Sequence, residues 1–249
     1  MVTVKRGLCL AAALLAVWGL LTFALGRLDG LMAPAVRPVS VTRAAPLILD
    51  AGHGGEDGGA VSVTGVPESR VNLEIVQKLR DTLALYGVDP VVLREEDVSL
   101  HDPEASTLRE KKRSDLKNRV RAVEAVEGGT LLSIHQNSYP GSQYRGAQVF
   151  YAPTGGSREL AELLQAALRE ELQPDNGRKA KPIPESVYLM NHVSCPAVLV
   201  ECGFLTNPEE EALLRDGGYQ KQLAAVLAGA WLTAERDHST VQEASQGHP

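Results

Sequence analysis

The sequence predicts a single α/β domain, a largely parallel twisted sheet flanked by helices, with a membrane segment at its N-terminus. Short apolar runs alternate with stretches of helical periodicity, the pattern of strands joined by crossover helices. The 249 residues suffice for one domain of ordinary size plus appendages. A hydrophobic fraction of 44% and a charged fraction of 22% belong to a globular protein. The net charge of −6 argues against a nucleic-acid partner, because no basic stripe is available to neutralise phosphates. The basic run Arg109–Arg113 is interrupted by Glu110 and reads as a solvated loop or helix entry.

Residues 1–26 read as a signal peptide or membrane anchor. Lys5-Arg6 precedes an uncharged run from Gly7 to Gly26, long enough to span about 30 Å as a helix. That exceeds the usual core of a signal peptide and favours an anchor, although Ala33-Pro34-Ala35 offers a small-residue cleavage site. In either case the basic pair stays cytoplasmic and the rest is exported, secreted or held at the outer face of the cytoplasmic membrane. Residues 27–45 lack periodicity and read as a linker, and residues 236–249 read as a polar tail.

The domain proper spans 46–235. Leu47-Ile48-Leu49 is a buried strand running into Asp50-Ala51-Gly52-His53-Gly54-Gly55, and a glycine-rich loop continues to Pro67. Val71, Leu73, Ile75, Val76, Leu79, Leu83 and Leu85 then follow helical spacing, and Gly87 ends that helix. Pro90–Leu93 reads as a second strand. Residues 94–112 are polar and irregular, and Ser114 is a candidate N-cap for the next helix. Thr130–Ile134 forms a strand that delivers His135, and Ala147–Tyr151 forms another. An amphipathic helix over 157–172, a polar loop over 175–184, a strand over 197–201 and helices near 208–214 and 217–235 complete the reading.

In open α/β sheets, sites lie at the carboxyl ends of strands. Three strands here end in a metal ligand or a base: Leu49 leads to His53, Ile134 to His135 and Val200 to Glu201. A buried carboxylate such as Glu201 is expensive unless it is paired, binds a metal or does chemistry. Catalytic zinc commonly takes two His and one Glu and keeps a fourth position open. His53, His135 and Glu68, at the head of the first helix, are the candidate ligands, although Glu68 at that position also suits the helix dipole. Asp50 and Asn137 are candidate partners of the ligand histidines, and turn formation explains both equally well. His192 packs in a loop or faces the substrate.

The sequence has three cysteines, too few for a disulfide framework. Cys195 and Cys202 bracket a strand, which separates them by roughly 23 Å, far beyond disulfide reach. Cys202 reads as a small buried apolar residue, since nothing near it in sequence supplies the base a nucleophile needs.

Leu49–Gly55, Ser133-Ile134-His135-Gln136-Asn137 and Val200–Asn207 resemble the three signature blocks of the zinc-dependent N-acetylmuramoyl-L-alanine amidases of the amidase-3 type. The resemblance spans about 46–232. It implies zinc held by His53, Glu68 and His135, Glu201 as the catalytic glutamate, and peptidoglycan as substrate. Glu56 and Glu74 are nearby, but Glu68 best matches the family's position. Ser114–Val120 and Arg178-Lys179-Ala180-Lys181 further resemble the sporulation amidases that act on spore cortex. That implies a role in muramic lactam formation, in the space between forespore and mother-cell membranes, and an activating lipoprotein partner. A vegetative autolysin, a zinc peptidase on a similar scaffold and a wall-binding module with a dead site are the competing classes.

Overall fold

The computed structural model describes residues 45–246, with side chains to residue 236. The membrane segment and most of the linker therefore lie outside the described residues. Among those described, no helix is long and apolar enough to cross a membrane.

The strands are β1 (Leu47–Ala51), β2 (Val91–Val92), β3 (Thr130–Asn137), β4 (Gln148–Tyr151), β5 (Lys181–Pro182) and β6 (Ala197–Phe204). The helices are α1 (Glu68–Ala84), α2 (Leu108–Glu124), α3 (Ser157–Glu171), α4 (Tyr188–His192), α5 (Pro208–Arg215) and α6 (Gly217–Gln246). One six-stranded sheet has the order β2-β1-β3-β6-β4-β5. The first four of these strands run parallel, as expected of apolar runs buried on both faces. β4 runs antiparallel to β6, with β5 parallel to it. The reversal follows from the connection: no helix lies between β3 and β4, and a parallel partner would need a crossover.

The pleat assigns alternate residues to opposite faces. Leu49, Ile134, Val149 and Val200 join α1, α3 and α6 through Leu79, Leu164, Leu227 and Trp231. The other face, carrying Ile48, Leu131 and Leu199, packs on Val123 of α2 and on Leu189 and Met190 of α4. α2 and α4 leave the carboxyl ends of β1, β3 and β6 partly uncovered, and there the polar residues of this face collect.

Three boundaries differ from the sequence reading. α2 starts at Leu108, not after Ser114, because Thr107 and Glu110 form a capping box with bonds of 3.2 and 3.0 Å. The whole basic run is thus helical, and the Ser114 hydroxyl accepts from the Asp102 amide at 2.9 Å. β5 lies within the loop expected over 175–184, and α4 lies in the stretch after it, where no element was expected. α6 continues to Gln246, since no breaker appears before Gly247.

Two buried arginines fix the end of β1. Arg94, 3% exposed, donates to the carbonyls of Ala51, Gly52 and Ser69 at 2.8, 3.1 and 2.7 Å. Arg119 on α2 donates to the carbonyls of Ala51 and His53 at 3.0 and 2.6 Å, and pairs with Asp50 and Asp115. Burial works to raise the pKa of Asp50, but the Arg119 guanidinium and the Ser133 hydroxyl hold it below its ordinary 3.8. A depressed carboxylate stabilises the fold above its unfolded pKa and loses that contribution as pH falls through the folded value. Asp50→Asn is therefore expected to flatten the loss of stability below about pH 4. Arg119→Leu strands Asp50 and is expected to lower urea-unfolding stability by about 3–5 kcal/mol. A loss under about 1 kcal/mol would show that the pair does not hold the strand end.

Candidate active site

The loop leaving β1 turns sharply. The Gly52 amide still donates to Ile134 at 3.0 Å, but His53 has φ +61, a left-handed conformation rare for a residue with a Cβ. Arg119 holds the His53 carbonyl, and Asp57 Oδ2 lies 3.1 Å from its Nδ1. The imidazole is thereby aimed so that Nε2 faces Glu68 Oε2 at 3.4 Å.

Glu68 opens α1 and is 4% exposed. Its Oε1 accepts from the Gln136 amide at 3.1 Å and from Asn72 at 3.2 Å, and lies 2.9 Å from His135 Nδ1. Its Oε2 accepts from the Ala60 amide at 3.0 Å. Burial pushes this carboxyl upward, but the hydrogen bond and charge of His135, the charge of His53 and the Ala60 amide bring it down to about 2. It is a carboxylate throughout the physiological range.

The two imidazoles meet edge to face, with ring centroids 5.1 Å apart. His53, Glu68 and His135 each offer one ligand atom, all within 4.8 Å of one another. Such a donor set could hold a metal ion, and two further observations support the fit. Tetrahedral zinc with bonds of about 2.0–2.1 Å separates its ligand atoms by about 3.3 Å, close to the His53–Glu68 spacing. Two glycines also leave room for the cluster. A Cβ on Gly52 would lie 2.2 Å from His135 Nε2, and one on Gly59 would lie 2.6 Å from Glu68 Oε2.

Glu201 stands beside His135 in the β3–β6 register. Its Oε2 is buried and has no hydrogen-bond partner, and it makes no ion pair among the described residues. Burial raises its pKa to about 7, with the His135 charge opposing and the Glu68 charge adding to the rise. A carboxylate of this kind can take and return a proton near neutrality. The reading of Glu201 as half of a buried ion pair finds no partner.

The lesser candidates fall elsewhere. Asp50 bonds Ser133 at 2.6 Å and Arg119, not a ligand histidine. Asn137 offers its carbonyl to the Leu205 amide at 2.8 Å. His192 stacks on Tyr188 with centroids 3.8 Å apart. Cys202 is fully buried, and burial raises its thiol far above the range of a nucleophile. Asp57, Asn72, Arg94 and Arg119, which orient the cluster, were not singled out as site residues from sequence. The Asp115–Arg119 spacing of four on one helix was the only available signal.

The family described as N-acetylmuramoyl-L-alanine amidase matches residues 47–231. A germination-specific N-acetylmuramoyl-L-alanine amidase of Bacillus subtilis is 37% identical over 182 residues, covering 73% of this chain and 76% of that protein. The amidase LytC of the same organism is 29% identical over 185 residues, 73% of this chain but only 34% of LytC. Among solved structures, the CwlD amidase of Clostridioides difficile, in complex with the GerS lipoprotein, superposes with a TM-score of 0.73. It is 36% identical and covers 76% of this chain and 98% of that one. With the fold, the site geometry and the sequence match in agreement, the chain belongs to the N-acetylmuramoyl-L-alanine amidase family.

Proposed function

We propose that this protein hydrolyses the amide between N-acetylmuramic acid and L-alanine in peptidoglycan, with zinc held by His53, Glu68 and His135 and with Glu201 as the base. The observation that carries the reading is the position of Glu201, whose buried oxygen lacks a partner one strand away from the cluster. Bound zinc would supply Lewis acidity toward the amide carbonyl and toward water. Glu201 takes the proton of the attacking water and returns it to the departing alanine nitrogen, so that a single carboxylate serves both halves of the reaction. Asp57 and Glu68 orient the His53 ring, and Arg119 holds the strained backbone beneath it. The β3–β6 ladder fixes Glu201 at the level of His135.

The biological setting is part of the same proposal. The likeness to the germination-specific enzyme supports action on spore cortex, removing stem peptides so that muramic lactam can form. The relative solved with a lipoprotein supports a lipoprotein partner. Lys5-Arg6 followed by the uncharged Gly7–Gly26 run supports a domain exported to the outer face of the cytoplasmic membrane.

Four outcomes test this reading. His53→Ala or His135→Ala should lose bound zinc and activity together. Glu201→Gln should keep about one zinc per chain and an unchanged or slightly higher melting temperature, while turnover of purified peptidoglycan drops by about 10²–10⁴-fold. Near-normal turnover in a zinc-loaded Glu201→Gln protein would remove the base from the mechanism. Gly52→Ala, which drives a methyl group into the His135 ring, should weaken zinc affinity by about 10–100-fold. The open position Gly155 should tolerate Ala, and equal zinc loss in both variants would contradict the close-approach argument. Spores of a strain lacking the protein should be deficient in muramic lactam and should germinate poorly. Normal lactam content in those spores would exclude the cortex role.

A further inference from the structure

The sheet row that carries the base continues past it. His135 pairs with Glu201 across β3–β6, and Glu201 pairs with Gln148 across β6–β4. Gln148, 2% exposed, does not reach for solvent. Its amide nitrogen bonds the Lys179 carbonyl, and its Oε1 accepts from a terminal nitrogen of Arg178 at 3.4 Å. The guanidinium is restrained in other ways as well. Its Nε donates to the Arg145 carbonyl at 2.8 Å, and its plane lies over the Phe204 ring, 4.7 Å from the centroid. The backbone beneath it is built to match. The Arg178 amide donates to Asn176 Oδ1 at 3.0 Å, and Asn176 donates to the Ala147 carbonyl at 2.9 Å. Gly146, at φ +91, leaves room for the Asn176 side chain, which a Cβ there would meet at 2.8 Å.

Immobilising an arginine side chain sacrifices rotamer freedom, and among the described residues no carboxylate offsets that cost. Among the described residues Arg178 has no ion pair, and its second terminal nitrogen has no acceptor. Arg145, close by, is paired with Glu209 at 3.3 Å. A half-buried, rigid and uncompensated guanidinium, separated from the proposed base Glu201 by Gln148, is a fork suited to an anion. The stem peptide released by the proposed reaction carries carboxylates, and the first of them lies one residue beyond the alanine.

We infer that Arg178 is a substrate-positioning residue that receives the α-carboxylate of the second stem-peptide residue and so seats the scissile amide against Glu201. The inference rests on the amidase reading and names which part of the substrate the site recognises. It also gives the loop between α3 and β5 a task, since Gln148 and Asn176 serve to hold Arg178 in place.

The test uses the zinc-loaded full-length protein and two defined substrates, N-acetylmuramoyl-L-alanyl-D-glutamate and its D-isoglutamine counterpart, in which the α-carboxylate is an amide. The wild type should prefer the acid by about 10–100-fold in kcat/KM, expressed mainly in KM, the range expected of hydrogen bonds to a charged group. Arg178→Gln should remove that preference by raising KM for the acid alone, with kcat for both substrates and the melting temperature near wild type. Arg178→Lys, which keeps the charge but not the fork, should restore only part of it. Equal losses on both substrates, or a wild type indifferent to the two, would overturn the role of Arg178 while leaving the amidase reading intact. A wild type that cleaves neither compound nor intact peptidoglycan would overturn the amidase reading itself, and this inference with it.

Discussion

The Glu68 carboxylate is the point on which the site depends. It is nearly sealed from solvent at the first turn of α1, where the helix dipole favours a negative charge. Its two oxygens collect four groups from three places in the chain: the Ala60 amide of the glycine loop, Asn72 of its own helix, and the Gln136 amide and His135 ring of β3. Removing this charge would leave several buried donors without an acceptor. Because the same oxygens face both histidines, the element that ties α1 to the sheet also brings together the three residues that could hold a metal.

Around that centre the protein spends conformational freedom to gain precision. His53 sits in a strained backbone conformation that Arg119 and Asp57 stabilise from two sides. Gly52 and Gly59 are required because a side chain at either position would collide with His135 or with Glu68. Arg119 reaches this loop from α2, and its charge is balanced by Asp50 and Asp115. A row of polar side chains then crosses the sheet from His135 through Glu201 to Gln148, and Arg178, in the loop before β5, touches the far end of that row.

Much of this was readable before the structure. His53, His135 and Glu201 stand out because each follows an apolar run too buried to tolerate an idle polar group. Glu68 is legible as a helix-start acid, and its contacts in the fold distinguish it from Glu56, which pairs with Lys111 at the surface, and Glu74, which pairs with Arg70. Arg119 was not legible as a support, because Asp50, its partner, is 69 residues away in sequence and nothing local marks the pairing. The start of α2 was missed because its first turns bury almost nothing, so the capping box and not apolar periodicity sets it. α4 owes its form to packing against the sheet and β5 to edge pairing with β4, and both have too few residues to show a period of their own.

The central claim is that His53, Glu68 and His135 hold a single zinc ion while Glu201 stays free to move a proton. Crystallography of the zinc-loaded protein with anomalous data collected on both sides of the zinc edge measures this directly. The account predicts one anomalous peak, bonded to these three residues at about 2.0–2.2 Å, with both Glu201 oxygens outside bonding distance. A peak bonded to Glu201 in place of Glu68, or no peak at this cluster, would contradict it.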